Sequence, residues 1–133
     1  MLDGRARALI DPVLNTVGRF LYASGVTPIQ ITLFGFALGL AAAAAIIVQF
    51  YILGLALLLV SRVADGVDGA VARAGGKVSD FGGFLDITLD FAFYGVIPLA
   101  FVFADPSANG VAGAVLLLSF YVNGASFLAY AIM

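Results

Sequence analysis

Residues 51–90 read YILGLALLLVSRVADGVDGAVARAGGKVSDFGGFLDITLD, and this stretch decides the fold. Positions 51–60 are apolar without interruption. Ser61 and Arg62 then open a segment that keeps helical spacing to Ala74 but turns polar on one face. No proline breaks it, and Gly75-Gly76 places glycine where a helix C-cap belongs. The spacing predicts one long helix over 51–74, apolar at first and charged later. Positions 77–81, beginning at Lys77, read as the loop to the next helix. At about 100° per residue, Asp65, Asp68 and Ala72 fall on one narrow face, with Gly69 and Arg73 at its edge. Gly82, Asp86 and Asp90 are spaced by four and share a face of the following helix. A short loop joins the two helices, which predicts antiparallel neighbours with four carboxylates converging in one cleft.

The rest of the chain sets this cleft in a membrane. Of its 133 residues, 63% are apolar and 11% charged, and the mean hydropathy is +1.14. A soluble domain carries about a quarter charged residues. A span needs roughly 20 mostly apolar residues, and further spans are expected over about 29–48, 84–103 and 111–133. The expected fold class is all-α: a polytopic membrane bundle of about four transmembrane helices plus an N-terminal interfacial amphipathic helix, forming one domain over 1–133. Gln49-Phe50-Tyr51 suits a tight hairpin. Asp105-Pro106-Ser107-Ala108-Asn109-Gly110 is a turn cluster. Gly35 and Gly39 give the first span a small face for close helix packing. Ahead of it, Ala6, Leu9, Ile10, Val13, Leu14, Val17, Phe20 and Leu21 recur at helical spacing, with Arg5, Asp11, Asn15 and Arg19 off the stripe. Asp11-Pro12 reads as an N-cap and first helical position, and the helix suits the interface plane.

All six cations, Arg5, Arg7, Arg19, Arg62, Arg73 and Lys77, precede the first span or fall between the apolar run that ends at Val60 and the span over about 84–103. The positive-inside rule then places the N-terminus and the aspartate-rich region in the cytoplasm. No basic patch with interleaved aromatics points to nucleic acid.

Cysteine, histidine and glutamate are absent. Thiolate sites, histidine-based triads and the usual zinc ligands are therefore excluded. Acid–base and metal chemistry must run on the eight aspartates, of which Asp80 and Asp105 read as solvated loop residues. Four converging carboxylates repel one another and need protons or cations. Oxygen-only ligands suit Mg²⁺, Mn²⁺ or Ca²⁺ rather than zinc. A paired-metal site of this kind holds phosphate oxygens. Arg73 adds a planar phosphate donor, and Gly69 and Ala72 leave room on the same face.

The ordered set is Asp65-x-x-Asp68-Gly69-x-x-Ala72-Arg73, eight residues, then Gly82-x-x-x-Asp86-x-x-x-Asp90. It resembles the signature of the CDP-alcohol phosphatidyltransferase family at every fixed position. Upstream, Gly25-Val26-Thr27-Pro28-Ile29-Gln30-Ile31-Thr32 resembles the family's approach to its first span. The resemblance implies two Mg²⁺ or Mn²⁺ ions on Asp65, Asp68, Asp86 and Asp90. It also implies that Asp90 is the general base that deprotonates an acceptor alcohol, with CMP leaving. Gly69, Ala72 and Gly82 match positions lining the cytidine diphosphate site, Arg73 the residue near the diphosphate, and Thr32 a position near the nucleotide. The implied substrates are a CDP-alcohol donor lipid and an acceptor alcohol in phospholipid biosynthesis, and the implied assembly is a membrane homodimer.

Three departures stand out. The family usually has six spans, so the chain is similar to the N-terminal part of a longer member or to a reduced one. Ile29 follows the proline where the family often has Asn, and Phe91 follows the last aspartate where many members carry a basic residue. The run 85–94 is most similar to a branch of bacterial inner-membrane proteins. Two other readings stay open: an intramembrane prenyltransferase, and a non-catalytic cation-binding or partner subunit.

Overall fold

The computed structural model describes residues 2–76 and 79–133, with side chains from residue 11 onward. Lys77, the last cation of the positive-inside pattern, lies outside the described residues, as do the side chains of Arg5, Arg7, Ala6, Leu9 and Ile10. The described residues form five helices and no strand: α1 (Leu2–Ala23), α2 (Pro28–Ile47), α3 (Tyr51–Ala74), α4 (Asp80–Ala104) and α5 (Pro106–Ala131).

Each helix end has a local cause. Gly25 takes φ +84° in the turn after α1. Thr27 caps α2 through a reciprocal pair: its hydroxyl accepts from the Gln30 N–H, and the Gln30 side chain accepts from the Thr27 N–H. Pro28 follows at the first helical position, where no donor is lost. Gly75 caps α3, and Gly76 takes φ +60° just beyond it. Ser79 caps α4 by accepting from the Gly82 N–H.

Four boundaries differ from the sequence-based expectation. First, α1 begins at Leu2 and Pro12 lies inside it. The apolar stripe runs unbroken across the proline, and its continuity outweighs one missing backbone donor. Second, the turn after α2 closes before Tyr51, with Gln49 at φ +63°. Third, Asp80 is the exposed first residue of α4 rather than a loop residue. Fourth, the cluster at 105–110 shrinks to one linking residue. Asp105 accepts from the Ala108 N–H and starts α5 directly, with Pro106 next. The Ser107 hydroxyl, then the Ala108 N–H, hold the Asp105 carboxyl below the usual carboxylate range.

Among the described residues three helices, α2, α4 and α5, are long and apolar enough to cross a membrane. The expected fourth span, α3, is apolar only in its first half; Arg62, Asp65, Asp68 and Arg73 occupy the second. The interior is built of small residues, with Ala42, Ala43, Ala45, Ala70 and Ala100 buried. Large apolar side chains such as Leu33, Phe34, Ile52, Phe103 and Val111 point outward. A lipid solvent permits this inversion, because helices gain by close packing rather than by hiding leucines from water.

The packing centres on α2. It lies against α3 on one side and α4 on the other, while α1 packs on α3 and α5 on α4. The α3 and α4 backbones stay further from each other than either does from α2, and the two helices meet, as their short loop predicts, through side chains: Arg62 on α3 reaches Phe93 and Asp90 on α4. The slim α2 packs closely on both because its glycines admit both partners. A Cβ on Gly35 would come within 3.2 Å of Ala64 on α3, and one on Gly39 within 2.7 Å of the Phe93 ring on α4. Buried Ser61 seals the first contact, donating to the Gly35 carbonyl at 2.7 Å. Ser61→Ala is expected to cost about 1 kcal/mol, read as a lower unfolding midpoint in detergent.

Candidate active site

Helical periodicity puts Asp65 and Asp68 on the α3 face that turns toward Asp86 on α4. Carboxylate oxygens of Asp65, Asp68 and Asp86 lie within 4.8 Å of one another. Oxygens on opposite sides of an ion bound at about 2.0–2.6 Å are roughly 4–5 Å apart. The trio therefore fits a Mg²⁺-, Mn²⁺- or Ca²⁺-sized cation. Asp68 is buried and accepts a 2.6 Å hydrogen bond from Thr32, whose hydroxyl also lies 3.1 Å from the Pro28 carbonyl. Thr32 thus aims one carboxylate into the cluster.

Asp90 faces a different partner. Its Oδ1 accepts from Arg62 Nη1 at 2.9 Å, and the same nitrogen lies 3.6 Å from Asp65 Oδ2. The Arg62 guanidinium rests on the Phe93 ring, 3.9 Å from its centroid. Three of the four aspartates come together as one cluster able to hold a cation, and the fourth is joined to them through Arg62.

Beside the trio opens a cavity of about 860 Å³. Asp68 and Asp86 reach it, and Gly69, Ala72, Arg73, Gly82 and Thr32 line it, so every expected nucleotide-contact position borders the same cavity. Asp65 and Asp90 lie outside the lining. Thr27, Pro28 and Ile29 from the start of α2, and Ser79 and Gly83 from the start of α4, complete it. Two helix N-termini thus border the cavity with their positive ends, and Arg73 lines it as well. An anion-accepting cavity abuts a cation-accepting cluster.

Sequence reading missed three features here. Arg62 was counted only as a topological charge, although its place one turn before Asp65 marks an i,i+3 pair. Ser79 and Gly83 fell in or beside an assumed loop; the Ser-x-x-Gly cap signals the helix start that brings them to the cavity.

Inner membrane protein YnjF of Escherichia coli K12 is 44% identical over 131 residues, covering 98% of this chain and 63% of that protein. An archaetidylinositol phosphate synthase of Pyrococcus horikoshii is 43% identical over 86 residues, 65% of this chain and 46% of that protein. A phosphatidylinositol phosphate synthase of Streptomyces avermitilis is 38% identical over 100 residues, 73% of this chain and 40% of that protein. The chain thus spans less than two thirds of the length of these relatives. Residues 25–132, from the turn before α2 to the end of α5, match the family pattern and carry the aspartate trio, Arg73 and the whole cavity lining, and by that match the chain belongs to the CDP-alcohol phosphatidyltransferase family.

Proposed function

We propose that this chain carries the catalytic centre of a transferase that moves a phosphoryl-alcohol group, in the favoured case a phosphatidyl group, from a CDP-alcohol to an acceptor alcohol. The observation that carries this reading is the juxtaposition of the aspartate trio with the 860 Å³ cavity. A bare cation pathway has no use for a nucleotide-sized chamber. Two relatives named for making inositol phosphate lipids support phospholipid synthesis as the setting.

In this reading the diphosphate lies between Arg73 and the starts of α2 and α4, and cytidine lies against Gly69, Ala72 and Gly82. The divalent ion on Asp65, Asp68 and Asp86, Mg²⁺ or Mn²⁺, supplies charge neutralisation at the phosphates when bound; a second ion follows from the resemblance alone. Asp90 takes the proton of the acceptor hydroxyl. The acceptor oxygen forms a bond to the phosphorus that bears the donor alcohol, the bond from that phosphorus to the CMP oxygen breaks, and CMP leaves. Arg62 orients Asp90 for this task by pairing with it. The proposed setting is a bacterial inner membrane with the N-terminus and site on the cytoplasmic side, and the proposed assembly is a homodimer.

Gly69→Leu tests the chamber without touching a charge. An added Cβ meets only Arg73 Nη1, at 3.3 Å, so the fold has space for it. The longer side chain then fills the nucleotide's place. CDP affinity is expected to fall by about a hundredfold, equivalent to roughly 3 kcal/mol, while Mn²⁺ binding persists. Unchanged CDP affinity would place the nucleotide elsewhere.

A further inference from the structure

Asp90 lies outside the lining of the nucleotide cavity, and so does Tyr94, one helical turn further along α4. Asp86, Asp90 and Tyr94 recur at intervals of four and share a face of that helix. Displacement at phosphorus sets the attacking and leaving oxygens roughly in line. With the nucleotide in the cavity beside Asp68 and Asp86, the acceptor arrives from beyond it, on the side of Asp90. The next side chain on that face is Tyr94. Its ring is held in place: Phe120 on α5 meets it at a centroid distance of 5.4 Å, and Phe93 meets it edge-on at 6.0 Å. Arg62 ties α3 to α4 one turn earlier, at Asp90. Tyr94 is nevertheless 41% exposed, and among the described residues its hydroxyl has no hydrogen-bond partner. Side chains on a helix lean toward its N-terminus, so the ring leans over the turn that carries Asp90. A fixed phenol in an apolar span, about 6 Å along the axis from the proposed base, is placed to meet a ligand.

We infer that Tyr94 is a specificity-determining residue for the acceptor: its hydroxyl hydrogen-bonds a second hydroxyl of the acceptor alcohol while Asp90 takes the proton of the reacting one. The inference rests on the proposed transferase reading. A carboxylate and a phenol one turn apart on the same face match an acceptor with hydroxyls on neighbouring carbons, each held by a hydrogen bond of about 2.8 Å. A mono-alcohol of the same skeleton leaves the phenol unpaired and loses that hold. The bond changes at phosphorus are those given above, and Tyr94 takes no part in them.

The test is CMP release from CDP-diacylglycerol with Mn²⁺, on the whole chain in lipid nanodiscs, for wild type and Y94F. The acceptors are two pairs of matched skeleton: glycerol against propan-1-ol, and myo-inositol against cyclohexanol. Wild type should favour the better-used polyol over its mono-alcohol by about tenfold in kcat/KM. In Y94F, which keeps the ring and its packing, that ratio should fall to about one through a higher KM for the polyol, while CDP and Mn²⁺ affinities stay within about twofold of wild type. A ratio that Y94F leaves unchanged, even with slower turnover of both alcohols, is what a purely structural role gives and would overturn the inference alone. If Y94F does not fold, wild type still decides, since equal rates within both pairs overturn the inference. A wild type that binds the donor with Mn²⁺ but releases CMP with none of the four alcohols overturns it as well. Failure of wild type to bind the donor with Mn²⁺ would overturn the transferase reading, and this inference with it.

Discussion

Asp68→Asn should lower CMP release from a CDP-alcohol by about a thousandfold, roughly 4 kcal/mol of transition-state stabilisation. Asn has nearly the shape of Asp, so the helix and its packing survive. Its oxygen can still accept from Thr32. Its amide, however, turns two donors toward Asp65 and Asp86, where a cation is to sit. The site loses a ligand and a negative charge together. Mn²⁺ affinity should fall in step with turnover. Asp105→Asn is the matched control. Asp105 lies at the far end of α4 and works as an N-cap, a task Asn performs equally well. Turnover and Mn²⁺ binding should be unchanged there.

The second large effect is steric. Gly39→Val should destabilise the bundle by about 3 kcal/mol. The first added carbon would lie 2.7 Å from the Phe93 ring and 3.4 Å from Ser61 Oγ, and two further methyls must follow. Phe93 has little freedom to retreat, being buried under the Arg62 guanidinium. The consequence therefore travels from packing to chemistry: α4 shifts from α2, Arg62 loses its platform, and Asp90 loses its anchor. Unfolding in detergent should show the lower midpoint, and the protein that remains folded should turn over more slowly than wild type. Gly95→Val is the comparison, since a Cβ there meets nothing within 4 Å. It should cost well under 1 kcal/mol, within the range of an exposed helical substitution.

What was readable in the sequence follows from what periodicity encodes. Asp65 and Asp68 on one helix, and Gly82, Asp86 and Asp90 on the next, share faces because 3.6 residues make a turn, and no tertiary knowledge is needed to see it. Gly69, Ala72 and Arg73 came to the cavity for the same reason. Composition alone announced helices facing lipid. What periodicity does not encode is how closely one helix admits two others. The close seat of α2 against both α3 and α4 depends on Gly35 and Gly39 meeting Ala64 and Phe93, a contact between positions far apart in sequence. The Arg62–Asp90 pair spans 28 residues and was illegible for the same reason. Pro12 misled because a proline at a helix start and one tolerated inside a helix look alike in sequence. Asp105 misled in the other direction: a cluster of turn-forming residues turned out to be a cap and the first turn of α5.

The central claim is that the aspartate trio and the adjoining cavity form one site for a divalent ion and a cytidine diphosphate. The most direct measurement is calorimetric binding of a CDP-alcohol lipid to the chain in nanodiscs, with Mn²⁺ and with chelator. Saturable binding that appears with Mn²⁺, disappears with chelator and is lost in Asp65→Asn is the predicted result. Binding of equal strength with and without the ion, or retained in Asp65→Asn, would contradict it.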